Sequence, residues 1–271
     1  MRRAPWSVRD RSVASRTVLN PRLRNIPENR GDPQRVTSPT NTPQSRRHPA
    51  LCHALPFVAW IGLMYVLGEP AAWKYALRTG VCAALFLWLR PWSAYARPTL
   101  RDIAWGVPVG VAVLVVWIGL ETPLGNRTPA LQEFYLRWLV FPLGKLPELV
   151  ENSPYAPQNC GWPLTLVRLA GSALVIASIE EFFWRGFLYR WLIDRDFLSV
   201  GLGRFEVQAF LIAVAIFGLE HHRWLAGIIA GAAYGGLIIH RKNIWGAVLA
   251  HVVTNLLLGF YVLGAGSYTF W

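Results

Sequence analysis

From residue 51 onward the chain is a succession of long apolar runs separated by short polar breaks. Within the runs the apolar residues keep neither the alternation of a half-buried strand nor the one-sided spacing of a surface helix. The runs fall near 51–67, 71–89, 103–120, 164–192, 206–222, 224–240 and 244–263. Several approach the roughly 20 residues an α-helix needs to cross about 30 Å of hydrocarbon. The pattern predicts an all-α, polytopic transmembrane helix bundle of seven spans. The second run is impure, because Lys74 and Arg78 lie toward its first end and must snorkel. Inside the loop 121–161 a further apolar stretch, 134–150, is interrupted by Pro142 and Pro147. It reads as an interfacial or re-entrant piece, or as an eighth span.

Composition agrees with the pattern: 54% of the residues are hydrophobic, 15% are charged, and the mean hydropathy is +0.31. A soluble domain of ordinary charge content is excluded. The net charge of +12 changes the picture only at the front, where residues 1–50 hold eleven Arg and three acids. This segment is rich in Pro, Ser, Thr and Asn and lacks the apolar run of a signal peptide. It reads as a disordered basic tail, or as a start placed too far upstream, ahead of a membrane domain over 51–271. An anionic-lipid or RNA contact of this tail finds no support in aromatic interleaving; the partners expected of the chain are membrane lipids and a membrane-associated protein or peptide substrate, and no nucleic acid. Cys52 and Cys82 lie in apolar runs and, like Cys160, lack metal or disulfide spacing.

Lys and Arg in the short loops give an orientation. With the basic tail cytoplasmic, Arg90, Arg97, Arg101, Arg190, Arg195, Arg204, Arg241 and Lys242 all fall on the same side. Seven spans then leave the N-terminus inside and the C-terminus outside, which an eighth would break. Trp92, Trp105, Trp117, Trp162, Trp191, Trp224 and Trp245 lie near span ends, as an interfacial belt requires.

Ionisable residues within apolar helices are costly and mark candidate functional sites. Three groups stand out. In Ile179-Glu180-Glu181-Phe182-Phe183-Trp184-Arg185, Glu181 and Arg185 are four apart and share a helix face. Glu180 is turned away by about 100° and has no such partner, which leaves it available as a general base. In Phe217-Gly218-Leu219-Glu220-His221-His222, at most one of the adjacent histidines can join a given site, and Phe217 lies one turn before His221. In His251-Val252-Val253-Thr254-Asn255, His251 and Asn255 share a face, suited to donating to an oxyanion or to bonding a neighbouring helix. Gly227, Gly231, Gly235 and Gly236 let the helix over 224–240 pack closely and draw its neighbours together.

In order and spacing, Glu180-Glu181…Arg185, Phe217…His221 and His251…Asn255 resemble the EExxxR, FxxxH and HxxxN motifs of the CPBP family. These are the CAAX prenyl endopeptidases and Abi-type bacteriocin-processing proteins. The resemblance covers about 165–260. More loosely, Leu55-Pro-Phe, Leu89-Arg90-Pro-Trp and Val116-Trp-Ile118 look like the bacterial, exosortase-associated CAAX prenyl protease-related subgroup, which implies a bacterial inner membrane. The family implies an intramembrane endopeptidase cutting near the C-terminus of a membrane-associated protein or peptide. Carried over, Glu180 activates water with help from His221, while His251 and Asn255 form the oxyanion hole. Glu181, Arg185 and Phe217 support the site. Members are described both as metalloproteases and as metal-free, so Zn2+ on Glu180, His221 and His251 stays open, although the chain has no HExxH.

The alternative is a non-catalytic membrane scaffold or bacteriocin-immunity protein keeping the same fold. A proton-relay transporter would be expected to show an internal repeat, and none is visible. One tension accompanies the reading: His221 ends its predicted span, whereas Glu180 and His251 lie inside theirs. For the three to meet, the span over 206–222 must be shorter than drawn, or the bundle must hold a water-filled cleft.

Overall fold

The computed structural model describes residues 48–122, 128–141, 146, 150 and 152–271. The basic segment expected over 1–50 lies outside the described residues apart from its last three. Of these, Pro49 and Ala50 open the first helix.

Every regular element among the described residues is helical. The main helices are α1 Pro49–Leu67, α2 Ala72–Leu89, α3 Leu100–Gly119, α4 Pro129–Tyr135, α5 Pro157–Ile193, α6 Val207–Leu219, α7 Trp224–Arg241 and α8 Trp245–Ala265. Their ends follow local chemistry. Proline opens α1, α4 and α5, where its missing N–H costs nothing. Thr99 and Asp102 form a reciprocal capping box at the start of α3. Gly266, at φ 66°, closes α8 in the left-handed conformation that glycine adopts without strain.

Among the described residues four helices are long and apolar enough to cross a membrane: α1, α3, α5 and α8. α6 is apolar but has only 13 residues. α2 and α7 have 18 residues each, with Lys74 and Arg78 in the first and His240 and Arg241 in the second. α4 and the π-helical turn Leu136–Val140 after it end at Phe141. Together they rise about 18 Å, too little for a crossing. The rest of the apolar stretch expected over 134–150 lies largely outside the described residues.

Two predicted boundaries are corrected. The run drawn from 164 starts at Pro157, and Gly161 breaks its opening turn with a φ of 77°. The run drawn to 222 stops at Leu219, and Glu220–Arg223 form a turn. Just before the stop Gly218 packs closely on α7: a Cβ there would lie 2.3 Å from Ile228 and 3.0 Å from the Trp224 carbonyl.

α8 runs through the middle of the bundle, packed against α3, α5 and α7. Its contact with α3 is at backbone distance, since a Cβ on Gly110 would sit 2.4 Å from the Ala250 carbonyl oxygen. Gly227, Gly231 and Gly235 form the corresponding contact of α7 with α6, whereas Gly236 faces open space. At one end of the bundle, buried Asp102 accepts hydrogen bonds from Thr99 and from Asn243 in the α7–α8 turn. At the other end Arg223 pairs with Glu121 after α3 and donates to the Thr269 carbonyl after α8. Most of the basic loop residues, from Arg90 to Lys242, belong to the Asp102 end.

Candidate active site

α5 carries the first motif on an irregular stretch. Two π-helical segments, Gly171–Ile176 and Phe182–Leu188, bracket a single α-helical turn, Ala177–Glu181. Such bulges re-aim the side chains that follow and recur at functional sites. Here the intervening turn directs both glutamates inward: Glu180 is 7% exposed and Glu181 is fully buried.

Glu181 is the centre of the polar network. Its Oε1 accepts from Arg185 Nη1 at 3.0 Å and from His251 Nδ1 at 3.0 Å. Arg185 is itself buried, donates Nη2 to the Gly231 carbonyl at 3.2 Å, and lies 4.1 Å from the centre of the Phe217 ring. The Glu181–Arg185 pair expected from the i,i+4 spacing is therefore present. The bond to His251 adds something the spacing could not give, since it joins α5 to α8.

Because a carboxylate only accepts, His251 must present Nδ1–H to Glu181. Its Nε2 is thereby left toward Glu180, whose Oε2 lies 3.9 Å away and has no hydrogen-bond partner among the described residues. Neutral His251 offers a lone pair at that nitrogen; protonated, it offers a donor. The imidazole is held from its face by Tyr234, with ring centres 5.0 Å apart and planes 25° apart.

His221 lies in the turn after α6. Its Nδ1 donates to the Phe217 carbonyl at 2.7 Å, which leaves Nε2 as an acceptor. The Phe217 ring is 4.7 Å from it and the Trp117 ring 5.4 Å. Adjacent Glu220 and His222 are exposed, so only one of the two histidines faces inward, as adjacency on a turn demands. Asn255 donates Nδ2 to the Ser172 carbonyl at 3.0 Å, which fixes the carboxamide and leaves its second N–H free.

Glu180, His221, His251 and Asn255 all line a single cavity of about 160 Å3. The early end of α6 resolves the tension over His221, because the shorter helix sets this residue beside the cavity. Several lining residues carried no signal in the sequence. Trp117 reads as an ordinary belt residue, and Tyr234 as part of a glycine-rich packing face. Thr254 could have been suspected from its place beside Asn255; it bonds Tyr234 Oη at 2.7 Å and the Gly110 carbonyl at 2.9 Å. Ser172 contributes only its main chain, which no side-chain motif could reveal.

Residues 162–257 match the family model of Rce1-like type II CAAX prenyl endopeptidases. The matched stretch opens just after the Gly161 break, contains all three motifs and closes two residues past Asn255. It supports the CPBP family for this part of the chain. Together with the apolar helices, the match supports a membrane protein that is similar to CAAX-type proteases over residues 162–257. No curated protein and no solved structure matches the chain.

A zinc ion, which the resemblance leaves open, would have to draw on Glu180, His221 and His251. The free Nε2 atoms and the carboxylate are suitable donor types, and each histidine has a second-sphere acceptor. Their placement does not suit a metal, because no three such groups among the described residues come together as a metal-holding cluster. No catalytic step is therefore derived through a metal.

Proposed function

We propose that the chain is an intramembrane endopeptidase hydrolysing a peptide bond near the C-terminus of a membrane-associated protein or peptide. The observation that carries this reading is the single cavity shared by Glu180, His221, His251 and Asn255, drawn from α5, the α6–α7 turn and α8. In this reading Glu180 takes a proton from a water held by His221 Nε2, and the resulting hydroxide attacks the scissile carbonyl carbon. The tetrahedral oxyanion accepts from the second N–H of Asn255 and from protonated His251 Nε2. Glu180 then returns its proton to the leaving nitrogen as the C–N bond breaks, giving a free amine and a carboxylic acid, which gives up its own proton to water. Glu181 and Arg185 do not touch substrate. They fix His251 and the α5–α8 spacing.

The reading further assigns seven spans, a cytoplasmic N-terminus, and the exosortase-associated bacterial subgroup, hence a bacterial inner membrane. The loose motifs of α1–α3 and the concentration of basic loop residues at the Asp102 end support these assignments. The cavity is lined by Trp117, His221, Phe270 and Trp271, which belong to the opposite end. The substrate's peptide bond would then be reached from the side of the membrane away from the cytoplasm.

The test uses purified protein in detergent with a pool of membrane-associated peptides, and cleavage is read by mass spectrometry. Wild-type protein should yield defined fragments that Glu180→Gln and Asn255→Ala do not. Equal fragment yields from wild type and Glu180→Gln would remove the catalytic assignment.

A further inference from the structure

Beside the cavity, two arginines are held in an arrangement that the catalytic mechanism does not use. Arg168 in α5 lines the cavity itself, and Arg78 in α2 lines a neighbouring one of about 120 Å3. Both stack on the ring of Tyr75: Arg168 lies 4.2 Å from its centre and Arg78 5.3 Å. Arg78 also lies 4.0 Å over Trp60, and Arg168 4.8 Å over Tyr155. Ion pairs among the described residues engage Arg137, Arg185, Arg223 and Arg241, not these two.

Stacking accounts for the faces of the guanidinium groups but leaves the N–H donors in their planes unused. Among the described residues the Nε atoms of both arginines are buried without a hydrogen-bond partner, as are the Tyr75 hydroxyl and Thr79 Oγ1. Four orphaned polar atoms around one ring, with two like charges in an apolar bundle, form a costly arrangement that an anion would complete.

We propose that Arg168, with Arg78 beside it on the Tyr75 ring, forms an anion subsite that takes a carboxylate carried by the peptide substrate. The inference rests on the proposed protease reading, and it identifies the substrate as anionic on one side of the scissile bond. The cavity decides in favour of the substrate as the source of the anion, because Arg168 faces the same space as Glu180 and Asn255. Arg168 precedes Glu180 by twelve residues, about 18 Å of helical rise. An extended peptide covers that distance in about five residues, an upper limit because both side chains reach toward each other.

The test measures binding, not cleavage, in the full chain carrying Glu180→Gln. Two fluorescent apolar decapeptides are used as probes, identical except for a free or an amidated end. The free acid should bind about tenfold more tightly, the effect of one charge-assisted hydrogen-bonded contact. Arg168→Gln should reduce the ratio to about one, and Arg168→Lys should keep part of it. Arg78→Gln provides a second reading should Arg168→Gln fold poorly. Equal binding of the two peptides, binding of neither, or a ratio unchanged in both glutamine variants would overturn the proposal. The preference should be the same in bilayers of phosphatidylcholine and in bilayers with an equal part of phosphatidylglycerol. Its loss in the second would show that the arginines hold a lipid headgroup and overturn the substrate assignment. A preference for the acid without cleavage by wild type would sink the protease reading alone. Cleavage without the preference would sink the subsite alone.

Discussion

Glutamine at 180 and glutamine at 181 should fail in opposite ways, although the residues are adjacent and chemically identical. Glu181 is fully buried and its Oε1 accepts two hydrogen bonds, from Arg185 and from His251, each at 3.0 Å. Glutamine there removes the counter-charge of a guanidinium that is itself 5% exposed. Breaking a buried ion pair from one side typically costs about 3–5 kcal/mol. A glutamine carbonyl has two lone pairs and can still accept both bonds without the charge, so about 2–3 kcal/mol is expected, roughly 5–10 °C in Tm for a chain of this size. Glu180 has no such debt to its surroundings. Among the described residues its Oε2 has no hydrogen-bond partner, and His251 Nε2 lies 3.9 Å away. Replacing that unpartnered carboxyl by the isosteric amide should change stability by less than about 1 kcal/mol, in either direction. It should nonetheless lower kcat by about 10²–10⁴-fold, the range for loss of a general base. The assay is thermal unfolding in one detergent for wild type and both variants, with peptide cleavage measured on the same samples. A Glu180→Gln variant less stable than Glu181→Gln would refute the division of roles. So would an equal loss of activity in both at unchanged stability.

Three further outcomes follow from other parts of the structure. Gly110→Ala should destabilise the bundle by about 1–3 kcal/mol, since its Cβ would come within 2.4 Å of the Ala250 carbonyl oxygen; unfolding in detergent reads this, and an unchanged Tm would mean the α3–α8 contact is looser than described. Cleavage should survive dialysis against a strong chelator, because the three candidate ligands form no metal-holding cluster; loss of activity restored by Zn2+ would reverse that conclusion. With Cys160 replaced by serine, cysteine at exposed Thr122 should react with a membrane-impermeant maleimide in intact cells, and cysteine at exposed Ser93 only after permeabilisation; the opposite pattern would turn the cavity toward the cytoplasm.

The helices were legible because apolar runs and their breaks are local features. Six of the seven predicted runs start within three residues of an observed helix. The exception, in α5, shows what a hydropathy pattern does not encode. Residues 157–163 are mixed in polarity, and the helix is opened by a proline rather than by an apolar onset. The end of α6 was misplaced for a different reason. Nothing in Gly218-Leu219-Glu220-His221 forbids another helical turn, so the stop after Leu219, which sets His221 in a turn beside the cavity, carries no local signal.

The same distinction runs through the site. Spacing alone paired Glu181 with Arg185, because i and i+4 meet on any helix. It could not pair Glu181 with His251, seventy residues away, and that bond determines which histidine nitrogen faces Glu180. Sequence spacing therefore suggested two donors, His251 and Asn255, whereas the hydrogen bonds give them unequal standing. Asn255 retains a free N–H in every protonation state, with its carboxamide anchored on Ser172. His251 donates toward the cavity only when protonated. If the oxyanion is held as proposed, Asn255→Ala should lower kcat at every pH, by about 10²–10³-fold as for other oxyanion donors. Asn255→Asp should not rescue it, because an acceptor would then face the developing negative charge. Activity in the aspartate variant close to wild type would show that Asn255 only anchors α8 to α5.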